Sequence, residues 1–236
     1  MSGNAPELHG ELASLPTPVL ADAAVRLGLA VRQAPVGIAG PPAATVVGPA
    51  LPVRHAGSVD VFLEVLGHAA PGDVMVIDNA GRRDEACIGD LIAHEALQAG
   101  VAGIVIWGLH RDAVEIDALG LPVFSYGTLP FGPTQPHAPE EDRLSFARFG
   151  EETVTRSDVV AADPNGVVFL PSDEIDRIAQ AAASIRDTER QQIERLQAGT
   201  TLREQFDFEA YLRARERDPD RTFRQHLRER ASAIEE

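Results

Sequence analysis

The chain has 236 residues, of which 44% are hydrophobic and 24% are charged, and its formal net charge is −15 at pH 7. This composition is typical of a globular protein with a buried core, and the negative charge disfavours binding to a nucleic-acid backbone. No apolar run approaches the roughly 18 residues of a membrane-spanning helix, and the N-terminus lacks the pattern of a signal peptide. The single cysteine, Cys87, cannot form an internal disulfide, which fits a reducing cytoplasm. We therefore expect a cytoplasmic protein with neither a membrane nor a nucleic acid as partner.

The N-terminal part of the sequence predicts two helices separated by short strands. Residues 17–29 have helical spacing, with Thr17 as N-cap, Pro18 at the first position and Gly28 near the end. A Gly- and Pro-rich segment follows, with β-prone pieces at residues 44–47 and 51–53. Residues 58–67 predict a second helix, capped by Ser58.

The middle of the chain alternates between strands and helices. The apolar runs VMVID, AGIVIW and LPVF predict three strands, because strands buried on both faces appear as continuous apolar runs. Helices are predicted between them, at residues 91–99 and 112–119. This order is typical of an α/β protein with right-handed crossovers. The segment DVVAADPNGVVFLP then predicts a hairpin around the turn at residues 163–166.

From Ser172 the chain becomes helical and charged. One helical face carries Ile175, Ile178, Ala179, Ala182 and Ile185. The residues that follow, to Glu236, are polar with widely spaced apolar side chains, so this segment either wraps a neighbouring subunit or is partly disordered. We expect an α/β core domain over residues 1–171 and a C-terminal helical extension over residues 172–236, packed on the core or on a neighbouring subunit.

Two polar pairs, Gly89-Asp90 and Arg111-Asp112, mark a candidate site, with twenty residues between Asp90 and Arg111. The first pair begins a predicted helix and the second follows a predicted strand. Ligands of α/β proteins bind at the carboxyl ends of the strands, so we expect both pairs at one edge of the sheet. Each pair alone would also fit a simple helix cap or a surface ion pair.

The residue types of these pairs suit an anionic substrate and a divalent cation. Arg111 can bind a carboxylate through two parallel hydrogen bonds. Asp112 offers a hard oxygen ligand for Mg²⁺ or Mn²⁺, and Asp90 can hold a metal-bound water. Free amides in the first turn of the helix can bind an anion with help from the helix dipole; they belong to Leu91, Ile92 and Ala93. The combination predicts a site for an α-keto acid bound to a divalent ion.

The segment GDLIAHEALQAGVAGIVIWGLHRD resembles the signature of the RraA-like superfamily, in which a Gly-Asp pair is followed, twenty residues later, by Arg-Asp. Five further segments resemble the superfamily in order: TPVLADAAVRLGL, GPALPVR, PGDVMVIDNAG, LPVFSYGTLPFGP and DVVAADPNGVVFLP. The resemblance extends over residues 16–199. This superfamily holds metal-dependent 4-hydroxy-4-methyl-2-oxoglutarate/4-carboxy-4-hydroxy-2-oxoadipate aldolases and regulators of ribonuclease E activity.

The resemblance implies a fold, an assembly and roles for individual residues. The fold would be an αββα sandwich with a central mixed sheet, assembled as a homotrimer or homohexamer with sites between subunits. Asp112 would reach Mg²⁺ largely through water, Arg111 would bind the substrate carboxylate and keto oxygen, and Asp90 would position a water that acts as proton donor. Gly89 and the backbone amides that follow Asp90 would hold the carboxylate of a small 2-oxo acid.

The activity implied is that of a divalent-metal-dependent lyase, which cleaves a 4-hydroxy-2-oxo acid to pyruvate by retro-aldol chemistry, decarboxylates oxaloacetate, or does both. The alternative is a non-catalytic RraA-type regulatory or binding protein that acts through a protein partner. Many aldolases of the superfamily carry an acidic residue after a glycine near the C-terminal helix, but here Thr200 follows Gly199. Glu189 and Glu194 remain as candidates for an acid that crosses the subunit interface, and Glu115 is a candidate for orienting Arg111.

Several other residues near the two pairs have a functional and a structural interpretation. His94 and His110 could contact substrate or act as acids near neutral pH, or could be partly buried structural residues. Arg82 or Arg83 could bind a second carboxylate, or could be exposed loop charges. Cys87 is expected to pack in the core, because a nucleophilic cysteine needs a lowered pKa and a partner base.

Overall fold

The computed structural model describes residues 10–229, and its centre is a curled, mixed seven-stranded sheet of order β1-β11-β10-β2-β3-β5-β7. Its strands and those of two small two-stranded sheets are, in chain order, β1 (Arg32–Gln33), β2 (Val46–Arg54), β3 (Val74–Asp78), β4 (Ala86–Ile88), β5 (Gly103–Trp107), β6 (Leu109–His110), β7 (Val123–Phe124), β8 (Phe146–Phe149), β9 (Glu152–Thr155), β10 (Asp158–Asp163) and β11 (Gly166–Pro171). The strands from β2 to β7 in the sheet are parallel, whereas β1, β11, β10 and β2 pair antiparallel. The small sheets pair β4 with β6 and β8 with β9.

In the middle of the chain the helices alternate with the strands, as expected. They are α1 (Thr17–Arg26), α2 (Asp60–Leu66), α3 (Asp90–Gln98), α4 (Ala113–Leu119), α5 (Ile175–Gln197), α6 (Leu202–Gln205), α7 (Phe208–Arg217) and α8 (Phe223–Glu229), with a 3₁₀ turn at Ser172–Glu174 before α5. Among residues 10–229, no helix is both long enough and apolar enough to cross a membrane.

The layers of the fold follow from the curl of the sheet. Its two halves enclose one apolar layer that contains the buried rings of Phe124, Phe149 and Phe169. Backbone hydrogen bonds between Ala39 and Ser125 join the segments beyond the two edge strands. Outside, α1 and α5 cover β10 and β11, while α2, α3 and α4 cover β2, β3 and β5. The predicted α/β fold, an αββα sandwich around a central mixed sheet with C-terminal helices, is confirmed.

The apolar runs account for the parallel half of the sheet. All five residues of β3 are buried, as are four of the five in β5, so the prediction of strands buried on both faces is confirmed. The hairpin of β10 and β11 is also confirmed, with Asp163 paired to Gly166 at the turn. The two β-prone pieces before α2 form one continuous strand, β2.

Both predicted N-caps are wrong. Pro16, not Thr17, is the N-cap of α1, and Thr17 instead donates two hydrogen bonds to Asp163, from its amide to Oδ2 at 2.8 Å and from its hydroxyl to Oδ1 at 2.7 Å. Helix α2 begins at Asp60 after the N-cap Val59, and no side chain caps it, so Ser58 is not its cap. In α1 a tertiary partner has replaced the local capping interaction that the sequence suggested.

The C-terminal segment is helical throughout most of its described part. The predicted apolar face of α5 is buried against α1 and the β10–β11 hairpin. Beyond α5, the rings of Phe206, Phe208, Tyr211 and Phe223 pack together, with centroids 5.0–6.1 Å apart. The division of the chain at residue 171 stays a prediction, and its two ends, residues 1–9 and 230–236, lie outside the described part.

Candidate active site

The two polar pairs predicted from the sequence meet in the structure. The short strands β4 and β6 run side by side and deliver Gly89 and Arg111 to the same place, where the Arg111 amide donates to the Ile88 carbonyl at 3.0 Å. The Asp90 amide donates to Asp112 Oδ2 at 3.3 Å, and Arg111 Nε lies 3.4 Å from the same oxygen. Residues separated by twenty positions therefore form one cluster at the start of α3 and α4.

Gly89 is required by close packing within this cluster. A Cβ atom at this position would lie 2.2 Å from Asp112 Oδ2 and 3.0 Å from Arg111 Nε. The backbone of Gly89 is extended, with φ −134°, so the requirement comes from space and not from an unusual backbone conformation.

Asp112 has a strained backbone. Its φ of +56° and ψ of +43° place it in the left-handed region, which residues with a side chain seldom occupy and which recurs at functional sites. It precedes α4, but its side chain does not cap that helix. The carboxylate instead accepts from Asp90 and contacts Arg111, which explains how the two helix starts are tied together.

The first turn of α3 offers fewer free amides than expected. The Leu91 amide donates to Asp90 Oδ1 at 2.8 Å, and the Ala93 amide donates to the Gly89 carbonyl at 3.2 Å. Only the Ile92 amide of the three lacks an acceptor among the described residues. The expectation of three free amides is therefore corrected to one, because side-chain and helical hydrogen bonds use the other two.

The guanidinium of Arg111 is open at its outer end. Its side chain is 49% exposed, and Nη1 faces Gly132, where an added Cβ would lie 3.1 Å away. Within residues 10–229 neither Nη1 nor Nη2 has a hydrogen-bond acceptor, so the two-pronged face that binds carboxylates is free.

A cavity of about 570 Å³ opens beside the cluster. Its polar wall includes His55, Ser58, Asp90, Glu95 and Arg111. Its apolar wall includes Val59, which is the N-cap of α2, together with Leu63 of α2 and Leu91 of α3. This combination of apolar lining with a few converging polar groups suits a small organic acid.

The donor set for a metal ion is small. In the described part of the chain, no group of three or more His, Cys, Asp or Glu side chains is arranged to hold an ion. Asp112 Oδ2 is engaged by Asp90 and Arg111, and Oδ1 has no protein partner among residues 10–229. One free carboxylate oxygen fits Mg²⁺, which commonly keeps several waters and takes only one or two protein carboxylates plus substrate oxygens.

In the described part of the chain, none of the three glutamates considered as supporting residues forms a hydrogen bond or ion pair with this cluster. Glu115 is exposed on α4 and makes no hydrogen bond or ion pair with Arg111, whose Nε contacts Asp112 instead. Glu189 and Glu194 lie on α5, which covers the β10–β11 half of the sheet and not the half that carries α3. Their predicted role across a subunit interface stays a prediction.

For most of the neighbouring residues, the contacts favour the structural interpretation over the functional one. His94 is exposed on α3, whereas His110 is buried, with Nδ1 2.8 Å from the Ser125 hydroxyl, and burial lowers its pKa. Burial raises the pKa of the Cys87 thiol, which therefore stays protonated and packs in the wall of the cavity. Arg82 pairs with Asp84 and Glu85, and Arg83 lies over the ring of Tyr126.

His55 is a cavity residue that the sequence pattern did not reveal. It follows Arg54 at the end of β2, and its Nδ1 lies 2.8 Å from Asn79 Oδ1. Its ring stacks on Phe62, with centroids 5.2 Å apart. The only signal in the sequence was a lone histidine after a strand, which carries no information without the tertiary contact to Asn79.

Comparison with known proteins places this site within a matched region. The family described as "RraA-like: Aldolase/RraA" matches residues 17–169, which include both polar pairs. The chain is 33% identical over 141 residues to "Protein DlpA" of Legionella pneumophila, a match covering 58% of this chain and 22% of that protein. It is 30% identical over 138 residues to a Halalkalibacterium halodurans protein named "Putative 4-hydroxy-4-methyl-2-oxoglutarate aldolase", covering 58% of this chain and 65% of that protein. The match thus spans less than two thirds of either relative.

A solved structure supports the same grouping. The crystal structure of Streptomyces coelicolor RraAS2, described as "an unusual member of the RNase ES inhibitor RraA protein family", superposes with a TM-score of 0.68 at 27% identity. The superposition covers 80% of this chain and 97% of that one.

Proposed function

The chain belongs to the RraA-like family, and on that premise we propose that it is a divalent-metal-dependent carbon–carbon lyase that produces pyruvate. Its substrate would be a 4-hydroxy-2-oxo acid, cleaved by retro-aldol chemistry, or oxaloacetate, cleaved by decarboxylation, or both. The observation that carries this proposal is the contact of Gly89-Asp90 with Arg111-Asp112 beside a cavity, with the outer face of the Arg111 guanidinium free.

Arg111 is the central residue of the proposed mechanism. Its free Nη1 and Nη2 can bind the carboxylate and keto oxygen of a 2-oxo acid, and the Ile92 amide can add a further hydrogen bond. Breaking the bond between C3 and C4 moves an electron pair onto the pyruvate fragment, and negative charge develops on the keto oxygen. A guanidinium held beside that oxygen stabilises the charge as it forms.

Asp90 would complete the reaction. Its carboxylate accepts from the Leu91 amide through Oδ1 and lines the cavity, so it can hold a water near the substrate. That water would donate a proton to C3 of the enolate and so release pyruvate.

The proposed cofactor is Mg²⁺ or Mn²⁺, held by Asp112. Its free Oδ1 is a hard oxygen donor, and the ion when bound would polarise the keto oxygen of the substrate. Arg111 and the Asp90 amide keep the Asp112 carboxylate in place through Oδ2.

We further propose that the chain acts as a homotrimer or homohexamer in the cytoplasm, with a small 2-oxo acid as its ligand. Two apolar side chains near the site, Leu91 and Val114, are 77% and 79% exposed in the single chain. Burial of such side chains between subunits would be favourable.

A second candidate function is that of a regulatory protein that binds a protein partner. The similarity to Streptomyces coelicolor RraAS2 over 80% of the chain favours it, because that protein is described as belonging to an RNase ES inhibitor family. The two candidates differ in whether Arg111 carries out chemistry.

Pyruvate release distinguishes the two candidates. Oxaloacetate and 4-hydroxy-4-methyl-2-oxoglutarate would each be incubated with the protein in Mg²⁺ or in EDTA. We expect turnover that requires the metal and that falls roughly 10²- to 10³-fold in Arg111→Ala, the range seen when one oxyanion donor is removed. Arg111→Lys keeps the positive charge but loses the two-pronged hydrogen-bonding face of the guanidinium. Its turnover should lie between those of the wild type and Arg111→Ala.

Arg177→Ala serves as the matched control, because Arg177 is an exposed arginine on α5 that pairs with Glu174. It should retain wild-type turnover. Pyruvate release no faster than the background with metal alone would contradict the lyase and favour the regulatory protein.

A further inference from the structure

His55 lies in the wall of the cavity that also holds Asp90 and Arg111. Its ring is fixed on one side by stacking on Phe62 and at Nδ1 by the amide oxygen of Asn79. An amide oxygen can only accept a hydrogen bond, so Nδ1 carries the proton and Nε2 keeps a lone pair. The ring is thereby held in one tautomer, with its basic nitrogen away from Asn79.

The basic nitrogen of His55 has no partner in the protein. Nε2 is buried and makes no hydrogen bond to any described residue. Buried polar atoms are nearly always paired, so this exception in a residue of the cavity wall calls for a partner, which a ligand or an ordered water supplies once the neighbouring side chains shift to open the atom to the cavity. The hydroxyl group of a bound substrate is a partner of the required kind.

The ring is neutral at neutral pH, as a base must be. Burial lowers the pKa of His55, and the hydrogen bond to Asn79 opposes this effect only in part. The charged groups around the ring are Glu85 and Asp60, which favour the protonated form, and Arg82, which disfavours it. Glu85 is itself paired with Arg82, at 3.0 Å.

We propose that His55 is a catalytic base of this cavity, which removes the proton from the C4 hydroxyl of a 4-hydroxy-2-oxo acid, directly or through one water. The inference rests on the proposed lyase function and adds a residue to it. It assigns the two proton transfers of the reaction to different groups, His55 at the hydroxyl and the water held by Asp90 at C3.

Each proton and electron pair of the proposed cleavage has a destination. Nε2 takes the hydroxyl proton, and the oxygen–hydrogen electron pair becomes the second bond of the new C4 carbonyl. The bond between C3 and C4 breaks, and its electron pair forms the C2–C3 double bond of the pyruvate enolate beside Arg111. The enolate takes a proton at C3, and His55 returns its proton to solvent.

The other acid–base groups of the cavity are less suited to this step. The Cys87 thiol is protonated because burial raises its pKa. Asp90 Oδ1 already accepts from the Leu91 amide. Glu95 is exposed on α3, where water competes for its carboxylate.

The test compares two reactions that share an enolate but differ in the first proton transfer. Retro-aldol cleavage must remove the hydroxyl proton, whereas oxaloacetate loses CO₂ without any such step. In the 236-residue protein with Mg²⁺, His55→Gln should lower kcat for cleavage of 4-hydroxy-4-methyl-2-oxoglutarate by roughly 10²- to 10⁴-fold, the usual contribution of a general base. The loss in oxaloacetate decarboxylation should be at least about tenfold smaller, because that reaction removes no hydroxyl proton.

The outcomes separate this inference from the function on which it rests. Equal losses in both reactions, or no loss in either, would overturn the role of His55, as would a selective loss of cleavage in Glu95→Gln instead. If the wild-type protein decarboxylates oxaloacetate but does not cleave 4-hydroxy-4-methyl-2-oxoglutarate, the role of His55 as a base is overturned. The proposed enolate site is then unaffected. A wild-type protein inactive on both compounds overturns both.

The wild-type pH profile tests the same role should His55→Gln fail to fold. The kcat/KM for cleavage should fall on the acid side as His55 becomes protonated, below the ordinary histidine pKa, while decarboxylation shows no such limb. The same acid limb in both reactions would overturn the assignment.

Discussion

The residues of the candidate active site are packed closely around Gly89. Asp112 and Arg111 lie so near Gly89 that a side chain there would displace them, and Asp112 has a left-handed backbone. A site built this tightly keeps the Arg111 guanidinium in one place before substrate arrives, which is the condition for strong stabilisation of a developing charge.

Gly89→Ala should therefore disable the site without unfolding the protein. The added Cβ, 2.2 Å from Asp112 Oδ2, must displace that carboxylate and with it Arg111. A displacement of about 1 Å can cost roughly 10²-fold in rate, and we expect a loss of that order in Mg²⁺-dependent pyruvate release. Gly10→Ala is the control, since a Cβ there meets no atom within 4 Å. Unchanged turnover in Gly89→Ala would show that the cluster is not the site of chemistry.

Several residue-scale features could be anticipated from the sequence and others could not. Gly-Asp and Arg-Asp each occupy the end of a recognisable element, so their meeting at one edge was predictable from the α/β pattern. His55 and its contact with Asn79 were not predictable, because they join the ends of β2 and β3 through a side-chain hydrogen bond that leaves no periodic signal. The hydrogen bond from the Leu91 amide to Asp90 Oδ1 was not predictable either, because it depends on the rotamer of the Asp90 side chain.

Among the elements, the start of α1 shows how a tertiary contact can replace a local cap. Asp163, at the turn of the β10–β11 hairpin, accepts hydrogen bonds from both the amide and the hydroxyl of Thr17, and from the Asn165 amide at 2.7 Å. One carboxylate thus ties the hairpin to the first helix, which explains why Thr17 does not cap its own helix.

Asp163→Ala should lower the free energy of unfolding by about 1–2 kcal/mol, the usual cost of losing a helix cap. Urea denaturation at pH 7 would measure the loss, with Asp163→Asn as the variant that keeps the shape and one acceptor oxygen. Asp163→Asn should lose less than Asp163→Ala. Equal stability of all three proteins would show that the contact is energetically neutral.

The stabilisation by Asp163 should also depend on pH. Burial alone would raise the pKa of Asp163, but the hydrogen bonds from Thr17 and Asn165 outweigh burial and lower it. A lowered carboxyl pKa means that the unfolded state binds the proton more readily, so the stabilisation is complete above the ordinary pKa of 3.8 and is lost as the pH falls below it. The stability difference between wild type and Asp163→Asn should shrink over that range.

The elements that sequence patterns missed are those with the weakest patterns. Strands β4 and β6 contain three and two residues, too few for any periodicity, and they form only because the flanking loops bring them together. The hairpin of β8 and β9 has only four residues in each strand, and in β9 only Val154 is buried, so neither strand shows a clear apolar pattern. By contrast, the short apolar runs of β3 and β5, which are rich in Val and Ile and bounded by turn residues, predicted those strands correctly.

At the scale of the whole molecule, one exposed apolar side chain bears on assembly. Val114, on the first turn of α4 beside Asp112, is 79% exposed in the single chain, and a subunit interface at the site would cover it. Light scattering should give a mass three or six times 25.3 kDa for the wild type. Val114→Asp should lower that mass, because burying an unpaired charge in an interface is costly.

Val36→Asp is the matched control for Val114→Asp, since Val36 is 91% exposed and lies away from α3 and α4. It should leave the mass unchanged. A wild type with the mass of one chain would contradict the proposed assembly, and an unchanged mass in Val114→Asp would place the interface elsewhere.

The most direct test of the site is calorimetric titration with oxalate, a planar dianion that mimics the pyruvate enolate. Oxalate should bind with one site per chain when Mg²⁺ is present, should bind at least tenfold more weakly in EDTA, and should lose most of its affinity in Arg111→Ala, because the metal and the guanidinium would each contact the dianion. Binding that is insensitive to Arg111, or no binding in the presence of Mg²⁺, would contradict the assignment of this cluster as a metal-dependent enolate site.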